Sequence, residues 1–152
     1  MKVNIMQTIR IKKMAHEDIG DIVAIENTTF SIPWSQDSFV KELENSHAHY
    51  YVLKLDNNLI GYGGFWKIID EGHITNVAIS EQYRGMGYGK RLIQELLEEA
   101  KKMNIQRMTL EVRESNSRAI KAYEKFGFII EGKRRRYYTN PIEDAMIMWL
   151  SL

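Results

Sequence analysis

The chain has no cysteine among its 152 residues. That excludes disulfides, thiolate metal sites and a cysteine nucleophile, and it suits a reducing compartment. Proline is nearly absent. Pro33 and Pro141 sit in loop-like contexts, and no Pro/Gly/Ser-rich linker divides the sequence, so one domain over 1–152 is expected. Neither sign of charge dominates. A net charge of +1 gives no bulk attraction to nucleic acid or membrane. No apolar run approaches the roughly 20 residues of a membrane span, and the basic segment Met1 to Lys13 lacks the apolar stretch of a signal peptide. A cytoplasmic protein without nucleic-acid or membrane partners is expected, as a monomer or weak dimer. His16, His47, His49 and His73 do not fall at metal-ligand spacings, so no metal is expected.

What is present is a succession of alternating and helical patterns. "QTIRIKK" (7–13) alternates and reads as a first strand. "HEDIGDIVAIENTTF" spaces Ile19, Ile22, Val23, Ile25 and Glu26 as a helix, despite Gly20. "PWSQDSFVKELENS" offers Ser35 as an N-cap, Trp34 as the apolar residue before it, and Phe39 and Leu43 at i, i+4. "HYYVLKLD" and "LIGYGGFWKII" flank a hairpin turn at Asp56 to Asn58, and "DEG" (70–72) reads as a second turn before "HITNVAIS". "QRMTLEVRE" places Met108, Leu110 and Val112 on one strand face and Thr109, Glu111 and Arg113 on the other. A short helix in "SNSRAIKAYEKFGF" is capped near Ser115 or Asn116 and stopped by Gly127, and two closing strands follow. The expected order, β-α-α-β-β-β-α-β-α-β-β, is that of a twisted α/β sheet between helices.

Between the fourth strand and its helix stands "YRGMGYGKRLIQELLEEAKK" (83–102), with Gly85, Gly87 and Gly89 alternating directly before a helix start. Glycine permits positive φ and close approach to the backbone. A helix N-terminus adds unpaired N–H groups and the positive end of its dipole. With Arg84 and Lys90 at its rim, this segment reads as a phosphate cradle, the alternative being a tight turn without ligand. A Walker A loop is excluded because Arg91, not Ser or Thr, follows Lys90. A Rossmann fingerprint is disfavoured because the glycines come after four strands.

Arg84-Gly85-Met86-Gly87-Tyr88-Gly89 matches the Arg/Gln-x-x-Gly-x-Gly/Ala turn of the GNAT acetyltransferases. "VAISEQYRGMGYGKRLI", "LEVRESNSRAIKAYEKFGF", "RRRYYTNPIEDAMIM" and "FSIPWSQDSF" resemble the bacterial ribosomal-protein alanine N-acetyltransferases, the RimI type, so the similarity covers nearly the whole chain. One departure is Arg136, where the family commonly has Asn. The resemblance implies the GNAT fold, a mixed, mostly antiparallel twisted sheet with helices on both faces. It implies acetyl-CoA as co-substrate, with the turn Arg84, Gly85, Met86, Gly87, Tyr88, Gly89 and Lys90 on its pyrophosphate. Backbone groups of Val77, Ala78 and Ile79 would hold the pantetheine arm like an added strand, one N–H facing the thioester oxygen. Asn116 would bond the pantetheine.

Acetyl transfer to an amine needs a positioned thioester, a neutral amine, a stabilised oxyanion and a proton for the departing thiolate. An N-terminal amine has a pKa of about 8 and is largely protonated at neutral pH. Glu111 is the candidate base, and partial burial would raise its pKa into a useful range; an exposed carboxylate paired with Arg113 or a lysine is the alternative. Tyr123, seven residues beyond Asn116, is the resemblance's proton donor and also lies within reach of the cofactor. On the acceptor side, Trp34, Tyr137 and Tyr138 would clamp a peptide N-terminus. Glu143 or Asp144 would pair with a basic second residue. Arg134 to Arg136 read as a solvated basic strand end, with Arg134 as a candidate neighbour of the cofactor phosphates. The implied acceptor is the N-terminal alanine of protein eighteen of the small ribosomal subunit. Other readings are a lysine, polyamine or small-molecule amine as acceptor, an acyl-CoA-binding module without catalysis, and a nucleotide-binding regulatory domain. Glu111 and Tyr123 count against the binding module, and the place of the glycines against the regulatory domain.

Overall fold

A computed structural model describes residues 7–152, so the first six residues of the expected domain lie outside the described ones. Seven strands form one sheet in the order β1-β2-β3-β4-β5-β7-β6. They are β1 (Ile9–Lys13), β2 (Ala48–Leu55), β3 (Asn58–Ile68), β4 (Glu71–Ile79), β5 (Arg107–Arg113), β6 (Ile129–Thr139) and β7 (Ile142–Ser151). Four α-helices join them: α1 (Ile19–Thr29), α2 (Gln36–Glu44), α3 (Tyr88–Lys102) and α4 (Ser117–Lys125). Every neighbouring pair is antiparallel except β4 and β5. The expected element order and the mixed sheet are both found.

Alternation along β2 explains the layering. Tyr51, Leu53 and Leu55 enter a core completed by Leu92, Ile93, Leu96, Leu97 and Ala100 of α3, with Ala119, Ile120 and Tyr123 of α4 packed at its margin. Tyr50 and Val52 enter a second core with Ile19, Ile22 and Ile25 of α1 and Phe39 of α2. Helices therefore cover both faces of the sheet, because successive strand side chains point to opposite faces. α3 buries an i, i+1, i+4, i+5, i+8 stripe and leaves its Lys, Arg and Glu residues outside.

Local signals behave as their chemistry requires. Ser35 caps α2, its hydroxyl accepting from the Ser38 N–H at 3.2 Å, and Trp34 packs on Phe39 with ring centroids 5.6 Å apart. Asp56 and Asn57 both take positive φ, 50° and 71°, as a two-residue hairpin turn demands, while Asn58 already opens β3. The second turn differs from expectation. It is made by Ile69, at φ 58°, and Asp70, and Gly72 lies inside β4. A Cβ on Gly72 would collide with the Met108 sulfur, so this glycine serves the close approach of β4 to β5 and not a turn.

Candidate active site

The parallel pairing of β4 with β5 is short. It runs through Glu71↔Arg107, Gly72↔Met108 and His73↔Thr109. Beyond these pairs β4 stays on β3 as far as Gly61↔Ile79, and β5 stays on β7 as far as Arg113↔Ala145, so a split opens between the two parallel strands. A bulge at Thr75, which lies between the register pairs Gly64↔Asn76 and Phe65↔Ile74, bends β4 at this place. The Thr75 hydroxyl shares a 2.6 Å hydrogen bond with the Tyr50 hydroxyl. The Ser80 N–H donates to Ile60 O at 2.7 Å. Alternation then turns the polar backbone groups of Ala78 toward β3 and those of Val77 and Ile79 toward the split. Of the three residues expected to hold a pantetheine arm, Ala78 is thus spent on the sheet. Side-chain hydrophobicity could not reveal this, since β4 is buried on both faces.

The glycine turn lies at the open end of the split. Gly85 and Gly87 have φ of 77° and 88°. Gly87 is the N-cap of α3 and no side chain caps that helix. The first helical hydrogen bond runs from the Arg91 N–H to Gly87 O at 3.2 Å, which leaves the N–H groups of Tyr88, Gly89 and Lys90 without helical partners. A Cβ built on Gly87 would meet nothing within 4 Å. Met86 and Lys90 are exposed at the rim, and Tyr88 packs edge-on against Tyr83. Arg84 departs from expectation. Its Nε donates to Ile79 O at 2.9 Å and its Nη2 to the Thr29 hydroxyl at 3.1 Å, so its guanidinium ties the turn to β4 and α1 instead of adding charge at the rim. The cation that does reach the turn is Arg118 of α4, whose Nη2 lies 3.2 Å from where a Gly85 Cβ would stand. Sequence reading missed it, because nothing but its place two residues after Asn116 sets it apart from the other exposed helix cations.

Glu111 and Tyr123 come from opposite faces of the sheet. Glu111 shares its β5 face with Thr109 and Arg113, while Met108, Leu110 and Val112 point into the α3 core. Tyr123 is on α4, packed against Phe128 at 5.5 Å between ring centroids on the α3 side. Neither alternative partner holds Glu111. Its Oε2 is 2.5 Å from His73 Nε2, and its Oε1 is 3.4 Å from Arg134 Nε. The expected rise in its pKa is not found. Burial pushes the carboxyl upward, but the His73 hydrogen bond and charge, together with Arg134, outweigh it and hold the group below the ordinary carboxylate value. Burial pushes the Tyr123 phenol up, with a smaller contribution from Tyr138, so it keeps its proton. Asn116 is the N-cap of α4. Its Oδ1 accepts from the Ala119 N–H at 3.2 Å, and its amide NH₂ remains as a donor.

The face opposite α3 carries the expected acceptor residues. The Trp34 N–H donates to buried Glu26 Oε2 at 2.9 Å, and Glu26 also receives the Tyr62 hydroxyl and Asn76 Nδ2. This buried carboxylate fixes the loop between α1 and α2. Across from it, three residues of β6 stand between the register partners Arg134 and Tyr138, against one on β7. This bulge lets two consecutive tyrosines meet. The Tyr137 and Tyr138 rings lie edge to face at 5.0 Å, where a regular strand would place them on opposite faces. Arg113 stacks over Tyr138 at 4.2 Å, bonds Glu143 at 3.1 Å and reaches the Ser31 hydroxyl at 3.5 Å, joining β5, the β6–β7 hairpin and the α1–α2 loop. The expectation that Glu143 or Asp144 awaits a basic acceptor residue is corrected. Glu143 is taken by Arg113 and the Ser115 N–H, and Asp144 accepts from the Arg136 N–H at 2.8 Å. Arg134 stands beside Glu111 and not among phosphate-binding groups. Among the described residues no group of three or more His, Asp or Glu side chains is placed to hold a metal ion.

Residues 19–128 match the model of the acetyltransferase (GNAT) family. A Bacillus subtilis (strain 168) protein that carries only a provisional name as a ribosomal protein bS18-alanine N-acetyltransferase is 43% identical over 143 residues, covering 93% of this chain and 95% of that protein. The Escherichia coli (strain K12) ribosomal protein bS18-alanine N-acetyltransferase is 32% identical over 146 residues, covering 93% of this chain and 97% of its own. The crystal structure of the ribosomal-protein-S18-alanine N-acetyltransferase from Escherichia coli superposes with a TM-score of 0.88 at 29% identity, over 95% of this chain and 94% of that one.

Proposed function

The chain belongs to the GNAT family of acetyltransferases, and on that premise we propose that it moves acetyl from acetyl-CoA to the N-terminal alanine amine of ribosomal protein bS18. The observation that supports this reading is the parting of β4 from β5 beside an uncapped helix start, with Glu111 on one face of the sheet and Tyr123 on a helix that packs on the other. The residues present suit the co-substrate. The split leaves the backbone groups of Val77 and the N–H of Ile79 without a strand partner, the Ile79 carbonyl being taken by Arg84, and the glycine turn offers N–H groups and open space for a pyrophosphate.

Acetyl-CoA supplies the acetyl group as an activated thioester. Gly85 to Lys90, with Arg118, bind its diphosphate. Val77, Ile79 and the Asn116 amide align the pantetheine arm along β4, and an N–H of that strand stabilises charge developing on the thioester oxygen. The acceptor enters from the other face, between the α1–α2 loop around Trp34 and the Tyr137–Tyr138 pair. Glu111 takes the proton of its ammonium group, and Tyr123 delivers a proton to the departing sulfur. A direct transfer is implied, since the chain has no cysteine to carry the acetyl group. Acceptors of this kind place the reaction in the cytoplasm.

Thiol release from acetyl-CoA, measured with mass spectrometry of the product, tests the reading. The acceptors are a basic peptide beginning with the bS18 alanine, the same peptide N-terminally blocked, and spermidine. Acetylation of the free peptide alone is expected. Turnover of the blocked peptide or of spermidine in its place keeps the enzyme class and discards the acceptor.

A further inference from the structure

α1 buries Ile19, Ile22 and Ile25, and beside them it buries a carboxylate, Glu26, only 1% exposed. Glu26 stands in the last turn of the helix, at the negative end of the dipole, where an acidic group is disfavoured. Burial of a carboxylate among neutral groups costs stability again. Its partners are three neutral donors from three parts of the chain. Oε2 accepts the Trp34 N–H at 2.9 Å. Oε1 accepts the Tyr62 hydroxyl of β3 and, at 3.3 Å, Asn76 Nδ2 of β4. Burial, followed by the charge of Glu26, pushes the Tyr62 phenol up, so it keeps the proton it donates. Asn76 immediately precedes Val77, and its Oδ1 is buried with no partner. At Glu26 the α1–α2 loop is therefore joined to β4 one residue from the segment proposed to hold the pantetheine arm. The loop has two other ties, Thr29 to Arg84 at 3.1 Å and Ser31 to Arg113 at 3.5 Å. Both of these are exposed, whereas the Glu26 carboxylate is sealed from water.

We propose that Glu26 is a positioning residue for the acceptor: it fixes the main chain at Trp34 relative to β4 and so sets where the acceptor amine meets the thioester. The inference rests on the reading of the Trp34 loop as one wall of the acceptor site. A carboxylate suits this task because both of its oxygens accept and neither needs a proton of its own. An apolar residue in its place would leave three buried donors unpaired, and glutamine has one acceptor oxygen for the three. Trp34 is then held from two sides, its N–H by Glu26 and its ring by Phe39 and Tyr50, at centroid distances of 5.6 and 6.5 Å. A loop shift of about 1 Å misplaces a bound acceptor, and misplacement on that scale costs on the order of 10²-fold in rate. Glu26 lies beneath this loop and does not itself touch the acceptor.

The test compares wild type, Glu26→Gln, Trp34→Ala and the double variant, with kcat, KM for the free Ala peptide, KM for acetyl-CoA and a urea midpoint for each. Glu26→Gln is expected to raise KM for the peptide about tenfold, the order of one hydrogen bond to a charged group, with KM for acetyl-CoA unchanged. Trp34→Ala is expected to raise the same KM. The double variant should lose less than the product of the single losses, since the carboxylate acts through the loop that carries Trp34. A residue that serves the fold alone would lower the urea midpoint and leave both KM values as they are. That result, an equal rise in both KM values, or fully multiplicative losses would each overturn the anchor. A raised peptide KM in Trp34→Ala beside a normal one in Glu26→Gln overturns the anchor alone. A normal peptide KM in Trp34→Ala removes the loop from the acceptor site and overturns the inference with it. If wild type acetylates spermidine and not the peptide, the bS18 acceptor is discarded, and KM for spermidine is held to the same criteria for Glu26. If Glu26→Gln does not fold, Tyr62→Phe, which takes one donor from the same carboxylate, is held to them with a smaller rise expected.

Discussion

Arg136 holds φ at 51°, in the left-handed region that costs an ordinary side chain roughly 1–2 kcal/mol and that Asn tolerates better. The β6 bulge imposes this conformation, and the Arg136 N–H pays it back in part through its bond to Asp144. Arg136→Asn should therefore stabilise the fold by up to about 1 kcal/mol, read as a higher urea midpoint with an unchanged slope. Glu143 shows the opposite case, a residue that suits its place. The Ser115 hydrogen bonds, followed by Arg113, hold its carboxyl below the ordinary value. A depressed carboxylate stabilises the fold fully above its unfolded pKa, and that contribution is lost as pH falls through its folded value. Glu143→Gln should consequently be less stable than wild type at pH 6–7, and the difference should close below about pH 4. Unfolding midpoints across pH 3–7 check the sign.

At the scale of elements, the active region depends on ends and interruptions. α3 begins at Gly87 with no side-chain cap, whereas α2 and α4 are capped by Ser35 and Asn116. A helix start without a side-chain cap gives up stability, and at α3 it leaves N–H groups for the diphosphate proposed to bind there. Gly87→Ala separates the two effects. The added methyl meets no protein atom within 4 Å, so the variant should lose only the roughly 1 kcal/mol of a strained φ. It should also raise KM for acetyl-CoA, because that methyl stands where the diphosphate is proposed to lie. An unchanged KM would remove the cradle from this helix end. The same local signals were legible beforehand. The Ser35 cap, the Asp56–Asn57 turn and the start of α3 each follow from two or three adjacent residues. The second turn was misplaced because Gly72 reads locally as a turn residue, while its reason is the Met108 sulfur from a strand 36 positions later.

Across the whole molecule, one sheet separates two cores, and that sheet is interrupted where β4 and β5 part. Phe39 is fully buried in the core under α1 and α2. Phe39→Ala should cost about 3–5 kcal/mol, a fall in Tm on the order of 10 °C for a chain of this size. A calorimetric scan measures it. The sequence by itself determined the order of elements, the faces of β5, the glycine turn and the family likeness, because each rests on near neighbours and side-chain periodicity. It also singled out Glu111 and Tyr123 as the base and acid of the proposed reaction. The tertiary structure alone decided which backbone groups face the split, that Arg84 turns away from the rim while Arg118 reaches the turn, that Glu143 and Asp144 are already occupied, and that His73 and Arg134 lower the Glu111 pKa where burial alone would raise it. These are contacts between residues far apart in the chain. Their outcome is set by strand register and by bulges, which no local pattern of residues encodes.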